Sequence, residues 1–141
     1  MWITAVLLGI SLQPAPSVVA PTPGALDVDV PTLAGAVADP TCGGRQAMTA
    51  VATCVSTTQA AIEGVVDAWN AAFEAQGWLA ADGSDNRIVY IRRREAGGCD
   101  AFQVLAFADN MASIAPAAPA YLALAPIPGD VCAAEPDAPA Q

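Results

Sequence analysis

The stretch Arg87–Ala108, RIVYIRRREAGGCDAFQVLAFA, decides the fold that the sequence predicts. Its opening residues, Arg87–Arg94, are rich in β-branched and aromatic side chains, which favour a strand. Glu95–Gly98 ends in two glycines and is typical of a hairpin loop. Cys99–Ala108 then places apolar side chains on both faces of a strand, as is typical of a strand in the middle of a sheet. The stretch therefore predicts an antiparallel hairpin whose second strand is central.

Other segments extend this hairpin into a sheet. Ala120–Ala125 (AYLALA) predicts a third strand, and Asp109–Pro119 is the loop that leads to it. Upstream, Asp82–Asn86 (DGSDN) is a cluster of turn residues. Ala25–Val30 (ALDVDV) alternates apolar and acidic side chains, so it is a candidate fourth strand at the sheet edge. A cation site on its two aspartates is the less favoured alternative, because two carboxylates alone make a poor calcium site.

The segment Arg45–Gln76 carries a helical pattern. Its larger side chains recur at steps of three and four, at Met48, Val51, Val55, Thr58, Ile62, Val66, Trp69 and Phe73. Such a stripe predicts a helix packed on the sheet, and Gly77 is typical of a C-terminal cap. Ser56–Gln59 fits a capping box, so whether the segment forms one helix or two stays open. The expected fold is α+β: a long or kinked helix on a three-stranded antiparallel sheet, with a possible fourth edge strand.

Four cysteines allow three disulfide pairings, and the sequence alone does not settle the choice. The predicted topology favours one of them. In an antiparallel meander, Cys99 faces positions near 129–132, which makes a bridge to Cys132 geometrically natural. Cys42 and Cys54 remain, and their bridge would tie the loop before the helix to its first turns. No C-x-x-C pair is present, so a zinc site built from four thiolates is disfavoured.

The N-terminus is typical of an export signal. Trp2–Leu12 (WITAVLLGISL) is apolar but shorter than the roughly 20 residues that span a bilayer. We expect residues 1–20 to be a signal peptide or N-terminal anchor and residues 21–40 a Pro/Ala-rich linker with the candidate edge strand. Residues 41–132 would form a small disulfide-stabilised domain, and residues 133–141 a disordered tail. The protein is then periplasmic or secreted, and it contacts a membrane only through an uncleaved N-terminal segment.

The composition excludes several classes of activity. The net charge is −9, which disfavours nucleic acid because its recognition depends on Lys and Arg contacts to phosphate. The chain has no histidine, and all five of its basic residues are arginines. It therefore has no imidazole base, no histidine-held zinc and no lysine for a Schiff base. We expect no metal and no cofactor, while a carboxylate-dependent reaction stays open.

The run Arg92, Arg93 and Arg94 is the one basic cluster of an acidic chain. It is a candidate for binding an anion or a partner. The favoured alternative is a charged strand end that blunts edge pairing. If Ala25–Val30 joins the first strand, its two aspartates could face these arginines.

No motif assigns a specific activity. The leading expectation is an exported, non-enzymatic domain that binds an unidentified protein or small ligand, such as a cell-envelope accessory protein. One alternative is an exported carboxylate-dependent hydrolase, with Asp100, Asp109 or Glu95 as candidates. Another is a structural envelope protein whose linker spaces the domain from a membrane. An enzyme requires carboxylates that converge in a concave pocket, whereas a binding domain requires an exposed apolar patch.

Overall fold

The computed structural model describes residues 26–109 and 113–132. The expected signal peptide at residues 1–20, the start of the linker and the tail at residues 133–141 lie outside this part. The described elements, in chain order, are β1 Val37–Ala38, a 3₁₀ turn Cys42–Gly44, α1 Gln46–Thr49, β2 Thr53–Thr58, α2 Ile62–Ala75, β3 Leu79–Ser84, β4 Arg87–Arg93, β5 Cys99–Phe107 and β6 Pro119–Ile127. No helix in this part is long and apolar enough to cross a membrane.

The six described strands form one antiparallel sheet in the order β1–β2–β6–β5–β4–β3. Within the described residues, α2 is the one helix longer than a single turn. The expected long or kinked helix on a three-stranded sheet is therefore wrong. The sheet has six strands and makes up most of the fold, while the long helix covers only Ile62–Ala75.

Strand β2 follows α1 within the expected helix and interrupts it. Four of its six residues, in TCVSTT, are β-branched, and such side chains lose freedom in a helix but fit a pleated strand. Cys54 and Val55 pack against opposite faces of the sheet. Over so short a window, steps of two and steps of three or four cannot be told apart. Pairing of β2 with both β1 and β6 decides the conformation.

Strand β3, LAADGS, has no counterpart in the sequence prediction, which placed only a turn at its end. All six of its residues are exposed, and alanine, aspartate and glycine are poor strand formers. The strand exists because β4 pairs along its length. Its ladder is irregular between Ala80 and Asp82, and the Asp82 carboxylate accepts the Gly83 N–H at 2.8 Å. A bulge and a charge of this kind discourage further strand addition at a sheet edge.

Residues 26–30 do not join the described sheet, so the candidate edge strand is absent from the described part of Ala25–Val30. The predicted alternation is nevertheless correct, because its three apolar side chains pack against the core and the two aspartates are exposed. The side-chain amide of Gln76 makes the hydrogen bonds to this segment that a neighbouring strand would otherwise make. Its oxygen accepts the Asp29 N–H at 2.8 Å, and its nitrogen donates to the Asp29 carbonyl at 2.7 Å.

Helix α2 ends at the glycine that the sequence predicted. Trp69 and Phe73, both on the predicted stripe, are buried against the sheet. Gly77 has a φ of +89°, a conformation that costs glycine least. The Gly77 N–H donates to the Glu74 carbonyl and the Trp78 N–H donates to the Phe73 carbonyl, each at 3.0 Å. These two bonds form a Schellman motif, which satisfies carbonyls at the end of the helix.

Phe102 of β5 is the centre of the aromatic core. Its ring centroid lies 5.0 Å from Phe73, 4.7 Å from Trp78 and 5.0 Å from Tyr90. All four side chains are fully buried, and each such ring pair is worth about 0.5–1.5 kcal/mol beyond its buried area. The Tyr90 hydroxyl reaches the Asn70 amide oxygen on α2 at 3.0 Å. The aromatic side chains of the helix stripe therefore hold the helix on the sheet.

Strand β6 has neighbours on both sides, and its prolines lie where one neighbour is missing. β2 pairs with Pro119–Leu124, whereas β5 pairs with Tyr121–Ile127. Pro119 therefore precedes the β5 ladder, and Pro126 follows the end of the β2 ladder. Because proline has no N–H to donate, these are positions where a central strand tolerates it.

Candidate binding surface on the disulfide face

The sheet has two faces of different composition. Phe102 and the other even-numbered side chains of β5 point toward α2, and the odd-numbered ones point to the opposite side. The disulfides Cys42–Cys54 and Cys99–Cys132 both lie on that opposite side, which we call the disulfide face. The chain thus forms disulfide bonds, as predicted, and they join the pairs that the sequence favoured. Such bonds are consistent with an oxidising compartment.

The loop between β1 and β2 covers one end of the disulfide face. The buried Cys42–Cys54 bridge anchors this loop to β2. Within the loop, the Asp39 carboxylate accepts hydrogen bonds from the Thr41 hydroxyl at 2.6 Å and from the N–H groups of Thr41 and Gly43 at 2.9 Å. These donors hold the pKa of Asp39 below its ordinary value. Asp39 therefore organises the loop.

A stack of rings fixes the loop to the sheet. Gly43 lies so close to Tyr121 that a Cβ at this position would come within 3.1 Å of the ring. The Tyr121 ring stacks on Phe107, with centroids 5.3 Å apart. The Arg45 guanidinium lies 4.5 Å from the Phe107 centroid, within reach of a cation–π interaction. Arg45 and the two rings therefore belong to the covered end of the face.

The short segment after β6 is held at the opposite end of the face. The Cys99–Cys132 bridge anchors it to β5. One Asp130 carboxylate oxygen accepts the Cys99 N–H at 2.8 Å and the Cys132 N–H at 3.0 Å. The Arg94 guanidinium donates to the Gly129 carbonyl at 3.1 Å. Segments that are anchored by disulfides therefore lie at both ends of the face.

An apolar row crosses the sheet between these ends. Leu79, Ile91, Ala101 and Ile127 are register partners on β3, β4, β5 and β6, and we call them the apolar row. Leu79 is 65 % exposed, Ile91 and Ile127 are half-buried, and Ala101 is buried. Among the described elements, the 3₁₀ turn lies against β2 and β6, and α2 occupies the other face. The one described helix longer than a single turn therefore packs on the side away from the row.

Arginines lie at both ends of β4 on the same face. Arg87 is the register partner of Leu105, and Arg93 is the partner of Cys99, so both point with Ile91 to the disulfide face. Both are exposed, and neither forms an ion pair with another described residue. Six residues of extended strand separate them by roughly 20 Å. The half-buried Ile91 lies between these two cations.

Arg92 points to the helix face, where its guanidinium contacts an aromatic ring and backbone carbonyls. Its guanidinium lies 4.4 Å from the Trp78 ring centroid. It donates to the Gln76 carbonyl at 3.3 Å and to the Asp27 carbonyl at 3.1 Å, and its ion pair with the exposed Asp27 carboxylate measures 3.4 Å. Arg92 therefore joins the segment 26–30 to the end of α2.

The three candidate carboxylates Asp100, Asp109 and Glu95 lie in different surroundings. Asp100 forms an ion pair with Arg94 at 2.6 Å, whereas Asp109 follows the far end of β5. Glu95 lies exposed in the hairpin between β4 and β5. In the described part of the chain, no group of three or more acidic or cysteine side chains could hold a metal ion. Asp100 is therefore held by Arg94 and lies at the opposite end of β5 from Asp109.

Comparison with protein-family models, with curated proteins and with solved structures found no match for this chain. The signal for the two arginines of the surface was present in the sequence, because Arg87, Ile91 and Arg93 share one parity along a predicted strand. The predicted cluster of Arg92, Arg93 and Arg94 is divided in the structure, since adjacent strand residues point to opposite faces. Leu79 carried no such signal, because nothing indicated a strand there.

Proposed function

We propose that this protein is an exported, non-enzymatic binding domain and that its disulfide face binds a protein partner. The observation that carries the proposal is the apolar row, whose outer end at Leu79 is 65 % exposed. An exposed apolar patch with a polar rim is characteristic of interaction surfaces. The two bridges support a rigid surface, because they anchor the covered segments at both ends of the face.

The arginines indicate the chemistry of the partner. Arg87 and Arg93 are exposed cations on a chain of net charge −9. A partner with an apolar centre and carboxylates roughly 20 Å apart would complement them. Complementary charges at the rim of an interface fix register and specificity more than they raise affinity. We therefore expect an acidic, partly apolar surface on the partner.

Export is supported by the cysteine chemistry. Disulfides persist in oxidising compartments and are rare in the cytosol. Neither the hydrolase nor the spacer alternative gains support from a specific observation. Asp100 forms an ion pair with Arg94 and lies at the opposite end of β5 from Asp109, and a spacer does not require an apolar row flanked by cations. Sequencing the N-terminus of the protein recovered outside the producing cells, with thiol labelling before reduction, tests export. An intact Met1 on cytosolic protein with free thiols would contradict it.

The binding proposal is tested by site-specific photo-crosslinking in the exporting cells. A benzophenone side chain replaces Leu79 on the disulfide face, and a matched control carries it at Ala71, an exposed position on α2. We expect one discrete adduct from position 79 and none of that mass from position 71. The adduct should disappear when Arg87→Glu and Arg93→Glu are introduced together. Equal adducts at both positions, or an adduct insensitive to charge reversal, would refute the proposal.

A further inference from the structure

A second, smaller site lies on the helix face, under the turn between β3 and β4. Five apolar side chains line its interior: Val66 of α2, Ile88 of β4, Val104 and Ala106 of β5, and Leu122 of β6. The turn residues 84–87 line its mouth, and the cavity volume is about 130 Å³. We call this space the hairpin pocket. It opens on the helix face, and it shares with the surface proposed above only Arg87, whose side chain points to the disulfide face.

The walls of the hairpin pocket are formed in advance. Leu122 is fully buried and Val104 is 4 % exposed, so the floor belongs to the packed core. The Ala106 N–H donates to the Asn86 carbonyl at 2.8 Å, which ties the turn at the mouth to β5. A ligand would therefore meet an existing cavity, and little of its binding free energy would be lost in ordering the protein.

The lining defines the chemistry of a ligand. All five interior side chains are hydrocarbon, so the inserted group must be apolar. A dry cavity of about 150 Å³ lined by similar side chains holds benzene, which makes a six-carbon ring a suitable size for this one. The mouth carries Asp85, together with the neutral Ser84 and Asn86, whereas the Arg87 side chain points to the disulfide face. Because the Asp85 carboxylate repels an anion, the mouth favours an uncharged or cationic polar group.

We propose that the hairpin pocket binds a small amphiphile, with a ring or short alkyl group inside and an uncharged or cationic hydrogen-bonding group at the mouth. Cyclohexanol is a probe of this chemistry. Cyclohexanecarboxylate and cyclohexylamine carry the same ring with a negative or a positive head group. They separate the contribution of the head group from that of the ring.

The test is an NMR titration of the full exported chain labelled at its methyl groups. Cyclohexanol should give saturable shifts confined to the methyls of Val66, Ile88, Val104 and Leu122, with intermolecular nuclear Overhauser effects to them. Cyclohexanecarboxylate should bind more weakly than the two other probes. Absence of saturable shifts, or of Overhauser contacts in the unmodified protein, would overturn the site. Equal binding of all three probes would overturn the assignment of the head group.

A pair of matched variants gives a second test. Ala106→Leu places three further carbons inside the pocket, whereas Ala125→Leu adds the same carbons to β6 on the disulfide face. We expect Ala106→Leu to weaken cyclohexanol binding on the order of tenfold or more and Ala125→Leu to leave it unchanged. Equal affinities in the two variants would overturn the proposal. If Ala106→Leu does not fold, the Overhauser contacts of the unmodified protein decide the question.

Discussion

Replacing each arginine of the run at 92–94 with methionine should give three different losses of stability. Methionine keeps an apolar stem and removes the guanidinium. Arg92→Met removes the cation over Trp78 and the hydrogen bonds to the segment 26–30. Arg94→Met removes the ion pair with Asp100. Arg93→Met removes an exposed cation that has no ion-pair partner among the described residues.

The structure sets the size of the largest effect. The Arg92 side chain is 27 % exposed, so its cation–π contact with Trp78 contributes about 1 kcal/mol. Its two bonds to the carbonyls of Gln76 and Asp27 contribute about 0.5 kcal/mol each, at the low end of the usual range because the site is partly solvated. The ion pair adds almost nothing, since the Asp27 carboxylate is 83 % exposed. Arg92→Met should therefore lower the free energy of unfolding by about 2 kcal/mol.

Urea unfolding followed by tryptophan fluorescence measures these losses, with Trp78 as a probe of its own surroundings. Arg93→Met should change the free energy of unfolding by less than about 0.5 kcal/mol, as exposed substitutions do. Arg94→Met should fall between the two. A loss for Arg93→Met equal to that for Arg92→Met would refute the assignment of the two side chains to different faces. In the crosslinking assay the order should invert, with Arg93→Met weakening the adduct and Arg92→Met leaving it intact.

Three further predictions concern the loops and bridges. Replacing Cys99 and Cys132 with alanine opens a loop with a sequence separation of 33 residues, and the chain-entropy relation gives a loss of about 3.7 kcal/mol in urea unfolding; a loss below about 1 kcal/mol would contradict it. The lowered pKa of Asp39 stabilises the fold fully above the ordinary value of 3.8, and this contribution disappears as the pH falls through the folded pKa. The gap in unfolding free energy between the unmodified protein and Asp39→Asn should therefore shrink on acidification below that value, and a gap that does not change with pH would contradict this. Gly43→Ala should cost more than Gly35→Ala, by about 1 kcal/mol or more in urea unfolding, because both have positive φ but only Gly43 lies against a ring; equal costs would show that the ring contact is unimportant.

The hairpin of β4 and β5 could be predicted because its determinants are local. Arg87–Arg93 and Cys99–Phe107 match the expected strands within one residue at each end. Their composition favours strands, and two glycines supply the turn. The end of α2 at Gly77 was predictable for the same reason, since a helix cap is a property of a few neighbouring residues.

Strands β2 and β3 could not be predicted because their partners determine them. The period of β2 is ambiguous over six residues, and only its pairing with β1 and β6 decides it. The residues of β3 have a weak intrinsic preference for strand, and the strand forms because it pairs with β4. The residues of the candidate surface were therefore not equally predictable. Arg87, Ile91 and Arg93 follow from the alternation of a correctly predicted strand, whereas Leu79 follows only from the sheet.

The placement of two prolines in β6 also matters for the chain before it folds. Ala120–Ala125 is uncharged, apolar and free of proline, the composition of segments that stack into cross-β fibrils. A newly synthesised or reduced chain exposes this segment to other copies of itself. Pro119 and Pro126 limit the danger, because neither can donate a hydrogen bond to a stacked neighbour and natural sequences use such residues as gatekeepers against aggregation. The folded sheet tolerates both prolines only because its two ladders are offset along β6.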